Sequence, residues 1–173
     1  ILGARNSGTT DVEVNNIDAA NASSSDLARL SSYIGWDTQP GWGPADPEDT
    51  SDGLTFVQIT NLSISCPMLP QGIGALLSKA EPGSVEVDIS SLLTYASVYE
   101  ELGVIASQYI EQLTTYASAI KPLGITGTFG DTDVTLTAAQ FEKLGSKLAV
   151  GVTVTVDATG ATPEQLIAMS VDI

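Results

Sequence analysis

The longest regular pattern of apolar and polar residues in this chain runs from Ser90 to Ile120. Its apolar residues recur at alternating spacings of three and four, which places them on one face of an α-helix. Serines at its start suit an N-cap, and the Lys-Pro-Leu-Gly that follows is a helix stop. We therefore predict one helix through most of residues 91–120, about 45 Å long, with a bend near Gly103. Its apolar positions are Leu92, Tyr95, Tyr99, Leu102, Ala106, Tyr109, Leu113, Tyr116 and Ile120.

The rest of the chain alternates apolar and polar residues over short stretches, which is typical of β-strands. Two of these stretches flank Gly130-Asp131-Thr132 and predict a hairpin. The last stretch has an uncertain start, because Thr162-Pro163-Glu164-Gln165 would also begin a helical turn. A phase change near Phe56-Val57 indicates a bulge. The predicted strands lie near residues 9–18, 54–66, 84–89, 125–137, 149–157 and 165–173.

Shorter helices are predicted by their caps. Ser24 or Ser25 begins the first, and residues 71–80 form the second. Thr137 and Gln140 form a capping box that opens a third helix, which runs to about residue 148. The pattern predicts an α+β fold: an antiparallel β-sandwich-like sheet core with one long helix and several short helices packed outside. Residues 1–18 are interpreted as a leader with a strand available for donation, and 19–173 as a single globular domain.

The amino-acid composition limits the classes of partner that we expect for this chain. The chain has 173 residues, with 21 acidic and 6 basic side chains and a net charge of −15. Such a surface repels phosphate, so we expect no nucleic-acid partner. No apolar run is long enough to cross a membrane, so no membrane span is predicted. Abundant Ser and Thr, and a first residue that is not Met, favour a processed, extracellular protein.

Two further features agree with secretion. The sequence contains two N-glycosylation motifs, at Asn21 and Asn61, so we expect a glycoprotein. The single cysteine, Cys66, excludes an internal disulfide and is predicted to be a buried thiol, with an intermolecular bridge as the alternative.

An acidic stretch in the Gly- and Pro-rich segment 36–53 is the candidate metal site. Carboxylate oxygens on a short flexible loop are ligands that Ca²⁺ prefers. The glutamate that closes an EF-hand loop is missing, so that motif is excluded. A solvated acidic loop and a weak Ca²⁺ site both remain open; no other cofactor is predicted. The candidate ligands are Asp46, Glu48, Asp49 and Asp52, with the turn Asp131–Asp133 as a second place for the ion.

Catalytic motifs are lacking. The chain has no histidine, which removes the Ser-His-Asp and Cys-His nucleophile systems and most zinc sites. It has no phosphate-binding Gly-Lys loop, and Gly72-Ile73-Gly74 lacks the third glycine of a dinucleotide fingerprint. We therefore predict that the protein is not an enzyme.

The two ends of the chain suggest assembly. A short strand, Gly8 to Asp18, follows a flexible leader, and the last predicted strand ends flush at Ile173. A free strand of this kind can complete the open sheet of a neighbour. In layout the chain resembles donor-strand filament proteins such as TasA-type biofilm fibres and archaeal bundling pili. The resemblance implies a subunit of an extracellular filament or sheath, with identical subunits as partners. The donated side chains would be Val12, Val14 and Ile17.

Two alternatives stay open at this stage. Trp36 and Trp42 lie in the Gly- and Pro-rich segment beside the acidic residues. They would suit a secreted recognition or adhesion module that stacks sugars with the help of Ca²⁺. A virus particle protein would share the same kind of fold and the same tendency to assemble.

Overall fold

The computed structural model describes residues 12–37, 54–96, 102–129 and 134–171, and all structural statements below concern these residues. They contain six α-helices and a short 3-10 helix at Gly145–Lys147. The strands are β1 (Val12–Asp18), β2 (Leu54–Thr60), β3 (Ser63–Ile64), β4 (Val85–Asp88), β5 (Ile120–Thr126), β6 (Thr135–Thr137) and β7 (Thr155–Asp157). The helices are α1 (Ser24–Asp37), α2 (Pro70–Ser78), α3 (Ile89–Ala96), α4 (Leu102–Thr115), α5 (Ala138–Leu144) and α6 (Pro163–Val171).

Every strand pair in the described part of the chain is parallel. β1 pairs with β2, β4 lies between β3 and β5, and β6 pairs with β7. The predicted antiparallel sandwich is therefore wrong. The two strands of each pair are separated by at least one helix, which carries the chain back so that the next strand runs in the same direction. The predicted hairpin is also wrong, since β5 pairs with β4 while β6 pairs with β7.

The strands pair in chain order. Two isolated parallel bridges extend this pairing: Ile59 of β2 pairs with Ala80, and Ile125 of β5 pairs with Leu148. β2 and β5 thus each pair with a segment that lies later in the chain. At the first bridge, the N–H of Ile59 donates to the carbonyl of Lys79 at 2.7 Å, and that of Glu81 donates to Ile59 at 2.8 Å. Each coil, which is a strand segment with the helix that follows it, thus lies beside the preceding coil.

The helices stack in the same order. α1 contacts α2, α2 contacts α4, α4 contacts α5, and α5 contacts α6. At the second of these contacts, Gly74 lets the backbone of α2 approach the side chain of Gln112 so closely that a Cβ there would overlap it. Strands and helices that both contact their chain neighbours define a short solenoid, in which each coil relies on the next for burial.

One continuous hydrophobic core lies between the strands and the helices. Tyr109 of α4 is fully buried in it, and its hydroxyl donates to the main-chain carbonyl of Met68. Cys66 is also buried, as predicted. The largest fully buried side chains are Tyr109, Ile59, Leu62, Ile64, Ile73, Leu76, Ile89, Leu92, Leu113, Ile120, Ile125 and Leu136.

The long helical pattern corresponds to two helices and the start of a strand. α3 and α4 are described on either side of residues 97–101, and α4 ends at Thr115. A turn at residues 116–119 follows, and Ile120, predicted to be the last helical residue, begins β5 and pairs with Val85. The helical pattern continued into β5 because Ile120 faces the same core as α4.

Residues 163–171 form a helix, where the sequence predicted a strand over 165–173. The N–H of Gln165 donates to the hydroxyl of Thr162 at 3.3 Å, and the N–H of Thr162 donates to the side chain of Gln165 at 3.0 Å. This reciprocal capping box, with Pro163 at the first helical position, starts α6. The helical turn that the sequence left open at Thr162 is thus present, but it continues to Val171, where a strand was predicted.

Other local predictions are confirmed. The capping box between Thr137 and Gln140 opens α5, and α2 and β4 lie close to their predicted positions. The predicted strand over 54–66 is interrupted at Asn61, whose φ of 54° turns the chain between β2 and β3. The strand predicted at 149–157 is shorter and comprises only β7.

Candidate assembly surface

The predicted assembly strand, β1, pairs within its own chain. Ile17 is buried in the core, and the N–H of Ala19 donates to the carbonyl of Thr60 in β2 at 2.9 Å. The main chains of Val12 and Val14 pair with Leu54 and Phe56, while their side chains lie outside the described part. In this structure β1 therefore pairs within its own chain.

Pairing with β2 leaves the other edge of β1 open among the described residues. The groups of Ile17 and Ala19 point toward β2, since the Thr60 hydroxyl also donates to the carbonyl of Ile17 at 3.5 Å. Along a strand, alternate residues point their main-chain groups to opposite sides. The N–H and C=O of Asn16 consequently point away from β2, and its side chain is exposed. Within the described ranges, no strand pairs with this side of β1.

β7 is the last strand of the described ladder, and among the described strands it pairs with β6. The valines that lead into this strand, Val152 and Val154, and Val156 within it are only half-buried. Equivalent valines in β4, Val85 and Val87, are fully buried between β3 and β5. The last coil is therefore covered less completely than the coils inside the chain.

The helix of the last coil shows the same one-sided burial. Gln165 faces α5, where its side-chain amide donates to the carboxylate of Glu142 at 3.0 Å, and Met169 packs against the core on the same side. Because each residue turns a helix by about 100°, Ile167 points away from the side that Gln165 and Met169 share, and Leu166 points between these two directions. They are 50% and 65% exposed. Val150, in the turn before β7, is also exposed.

The first turns of α1, in the first described coil, expose side chains of a different kind. Leu27, Leu30 and Ser31 are buried, and Ser31 lies against Gly72 of α2. The exposed residues of the first turns are small or polar: Ser24, Ser25, Asp26, Ala28, Arg29 and Ser32. The exposed side chains described in the first turns of α1 are thus small or polar, whereas Leu166 and Ile167 of α6 are apolar.

The predicted glycosylation sites both lie on the surface. Asn21 is exposed in the turn before α1. Asn61 is exposed too, but its side-chain amide donates to the carboxylate of Asp18 at 2.9 Å. That bond, followed by one from the N–H of Ala20, lowers the pKa of Asp18.

The other predicted ligand-binding residues are not brought together in the described structure. The candidate metal ligands Asp46, Glu48, Asp49 and Asp52, the turn at 131–133 and Trp42 lie outside it. Among the described residues, no group of three acidic or cysteine side chains is placed to hold a metal ion. The Ca²⁺ site therefore stays a prediction.

A shallow cleft of about 330 Å³ lies between the end of α4 and α5. Three of its polar side chains form hydrogen bonds within the fold. Thr114 and Thr115 donate to carbonyls of Ile110 and Glu111 in the last turns of α4, and Lys147 donates to the carbonyl of Ile120 at 2.8 Å. The cleft is lined by Thr114, Thr115, Ala117, Ser118, Lys143 and Lys147.

Comparison with known proteins gives no relative: no protein-family model, no curated protein and no solved structure matches this chain. The resemblance in layout to donor-strand filament proteins therefore stays a prediction. In the described part of the chain, no helix is both long enough and apolar enough to cross a lipid bilayer.

Sequence reasoning missed the open flank of the last coil. It depends on α6 being a helix, since a strand would place Leu166 and Ile167 on opposite faces, whereas in a helix their directions differ by about 100°. The cap at Thr162-Pro163 was the available indication.

Proposed function

We propose that this chain is an extracellular structural subunit that joins identical copies of itself into a filament or sheath. The observation that carries the proposal is the exposure of Leu166 and Ile167 on α6, in the last described coil, whereas α2, α4 and α5 each contact helices on two sides. Coils of a solenoid need neighbours to bury their apolar faces, and terminal coils of soluble repeat proteins usually carry a polar outer side. A second copy would supply the missing cover.

Two further features support a structural role over a catalytic one. The chain has no histidine, and Thr114, Thr115 and Lys147 of the cleft beside α4 donate to main-chain carbonyls. The acidic surface and the abundance of Ser and Thr favour an extracellular location, away from nucleic acid. Because β1 is already paired with β2, we propose that copies associate through the ends of the stack and not by donation of β1.

Sedimentation velocity over a range of protein concentrations tests the proposal. The full chain should form larger species as its concentration rises. The double variant Leu166→Asp, Ile167→Asp should stay monomeric, because carboxylates on the flank of α6 would have to be desolvated in the contact. Val104→Asp is the matched control, since Val104 is an apolar residue of α4 that is 52% exposed and away from both ends of the stack. A full chain that stays monomeric at every concentration would exclude self-assembly.

A further inference from the structure

We propose that the cleft between the end of α4 and α5 binds an acidic sugar, that is, a ring that carries several hydroxyl groups and a carboxylate. This inference goes beyond the proposed function, because it concerns a ligand of the single chain and does not require self-assembly. The side chains that carry it are Thr114 and Thr115 of α4, Lys143 of α5 and Lys147 of the 3-10 helix.

Positive charge is concentrated around this cleft in a chain that has little of it. The chain has 6 basic and 21 acidic residues. Lys143 and Lys147 both line the cleft. The ammonium of Lys147 donates to the carbonyl of Ile120 at 2.8 Å, and Lys121 is the next residue of β5. Three of the six basic residues are thus gathered near the start of β5.

The two lysines of the cleft have no carboxylate partner in the described part of the chain. Lys121 forms an ion pair with Glu86, but no such pair is described for Lys143 or Lys147. Both lie at the end of α5, where a cation offsets the last carbonyls of the helix. The bond from Lys147 to Ile120 uses one of three ammonium protons, and Lys143 is exposed. Their remaining N–H groups can therefore donate to a carboxylate of a ligand.

The two threonines define the other half of the ligand. The hydroxyl of Thr114 donates to the carbonyl of Ile110 at 2.6 Å, and that of Thr115 donates to the carbonyl of Glu111 at 2.8 Å. A hydroxyl has one proton and two lone pairs, so each of these oxygens can still accept a hydrogen bond but cannot donate another. A simple oxyanion, which only accepts, gains nothing from them, whereas a hydroxyl of a ligand can donate to them.

An acidic sugar matches both sets of groups, because its carboxylate accepts from the lysines and its ring hydroxyls donate to the threonines. The volume of the cleft, about 330 Å³, lies at the lower end of the range for small-molecule sites and suits a single sugar ring. Because the cleft is shallow, the ring can come from a free sugar acid or from one unit of an acidic polysaccharide.

An NMR titration of the full chain with glucuronate tests the proposal. Amide signals of residues 114–118 and 143–147 should shift as glucuronate is added. Glucose lacks the carboxylate and acetate lacks the hydroxyls, so each should bind about tenfold more weakly than glucuronate. Polygalacturonate is the second probe: tighter binding per sugar unit than glucuronate identifies a polysaccharide as the source, and equal binding per unit identifies a free sugar acid.

Three variants assign the binding to the cleft. Lys143→Gln should weaken glucuronate binding about three- to tenfold, because it removes a charge-assisted hydrogen bond. Thr115→Val removes a hydroxyl acceptor, so it should weaken the binding of glucuronate and leave that of acetate unchanged. Lys79→Gln is the matched control, since it neutralises an exposed lysine outside the cleft. All three should melt at the temperature of the full chain.

Three results would overturn the proposal. The first is an absence of shifts at the cleft with both glucuronate and polygalacturonate. The second is equal binding of acetate and glucuronate, which would mean that the threonines do not select a sugar. The third is an equal loss of binding in Lys143→Gln and Lys79→Gln, which would mean that only the overall charge matters. None of these results depends on self-assembly, so the proposed function is tested separately.

Discussion

The side-chain amide of Asn61 donates a hydrogen bond of 2.9 Å to the carboxylate of Asp18, and this bond ties the end of β1 to the bend after β2. Asn61 holds a left-handed conformation there, with a φ of 54°. The first coil is thus fixed to the second by a side-chain contact as well as by the parallel pairing of β1 with β2.

The bond makes stability depend on pH. It lowers the pKa of Asp18 in the folded protein, so the carboxylate stabilises the fold above the unfolded pKa of about 3.9, and this contribution is lost as the pH falls through the lower folded value. Asp18→Ala should therefore lower the free energy of unfolding near neutral pH, and the two proteins should converge in acid. Urea unfolding at several pH values measures the difference. Glu111→Gln, at an exposed site on α4, controls for the loss of one surface charge; a gap for Asp18→Ala that is the same at every pH would contradict the prediction.

The buried hydroxyl of Tyr109 provides a test of the core. Tyr109→Phe leaves the carbonyl of Met68 without this donor, so we expect a loss of about 1–3 kcal/mol in the free energy of unfolding. Tyr116→Phe, at a half-buried position in the turn after α4, should change stability by no more than about 0.5 kcal/mol. Urea unfolding of both variants makes the comparison; equal effects would argue against the described position of Tyr109.

The helical state of residues 163–171 rests on the cap at Thr162. Thr162→Ala removes the acceptor for the N–H of Gln165 and should destabilise the protein by about 0.5–2 kcal/mol. Thr162→Ser keeps the hydroxyl and should be close to the natural chain. Amide hydrogen exchange across 163–171 should quicken in the alanine variant; unchanged exchange would mean that the cap does not hold α6.

The two glycosylation motifs should differ if the protein is made by a host that glycosylates asparagine. Asn21 is exposed and no hydrogen bond of its side chain is described, whereas the amide of Asn61 is bonded to Asp18. We expect a glycan at Asn21 and a mass above the 17.9 kDa of the bare chain. Intact mass spectrometry of Asn21→Gln and Asn61→Gln would show which site is used; a glycan lost only in Asn61→Gln would contradict the assignment.

The local features of the fold could be read from the sequence, but its strand partners could not. The alternation of Val85 and Val87 identifies β4, and Thr137 with Gln140 identifies the start of α5. Period-two alternation fixes which side chains face the core, but it is the same for parallel and antiparallel pairs, because the partner is set by how the chain returns. The helices between paired strands were the feature that should have favoured parallel pairing.

The last coil illustrates the same limit at the candidate site. Ile167, Met169 and Val171 alternate as a strand would, yet Gln165 and Met169 also lie one helical turn apart on the side that faces α5. Only the cap at Thr162 decides between the two, and with it the position of the exposed flank.

The central claim is tested most directly by measuring how far assembly protects a thiol at position 167 of α6 from alkylation. Cys66 is buried, so Ile167→Cys would carry the accessible thiol in an otherwise unreactive chain, and Val104→Cys is the matched control on α4. If copies assemble through the last coil, alkylation of Ile167→Cys should be fast in dilute protein and slow in concentrated protein, while Val104→Cys reacts equally fast in both. Equal and rapid alkylation of both cysteines at all concentrations would contradict assembly through the end of the stack.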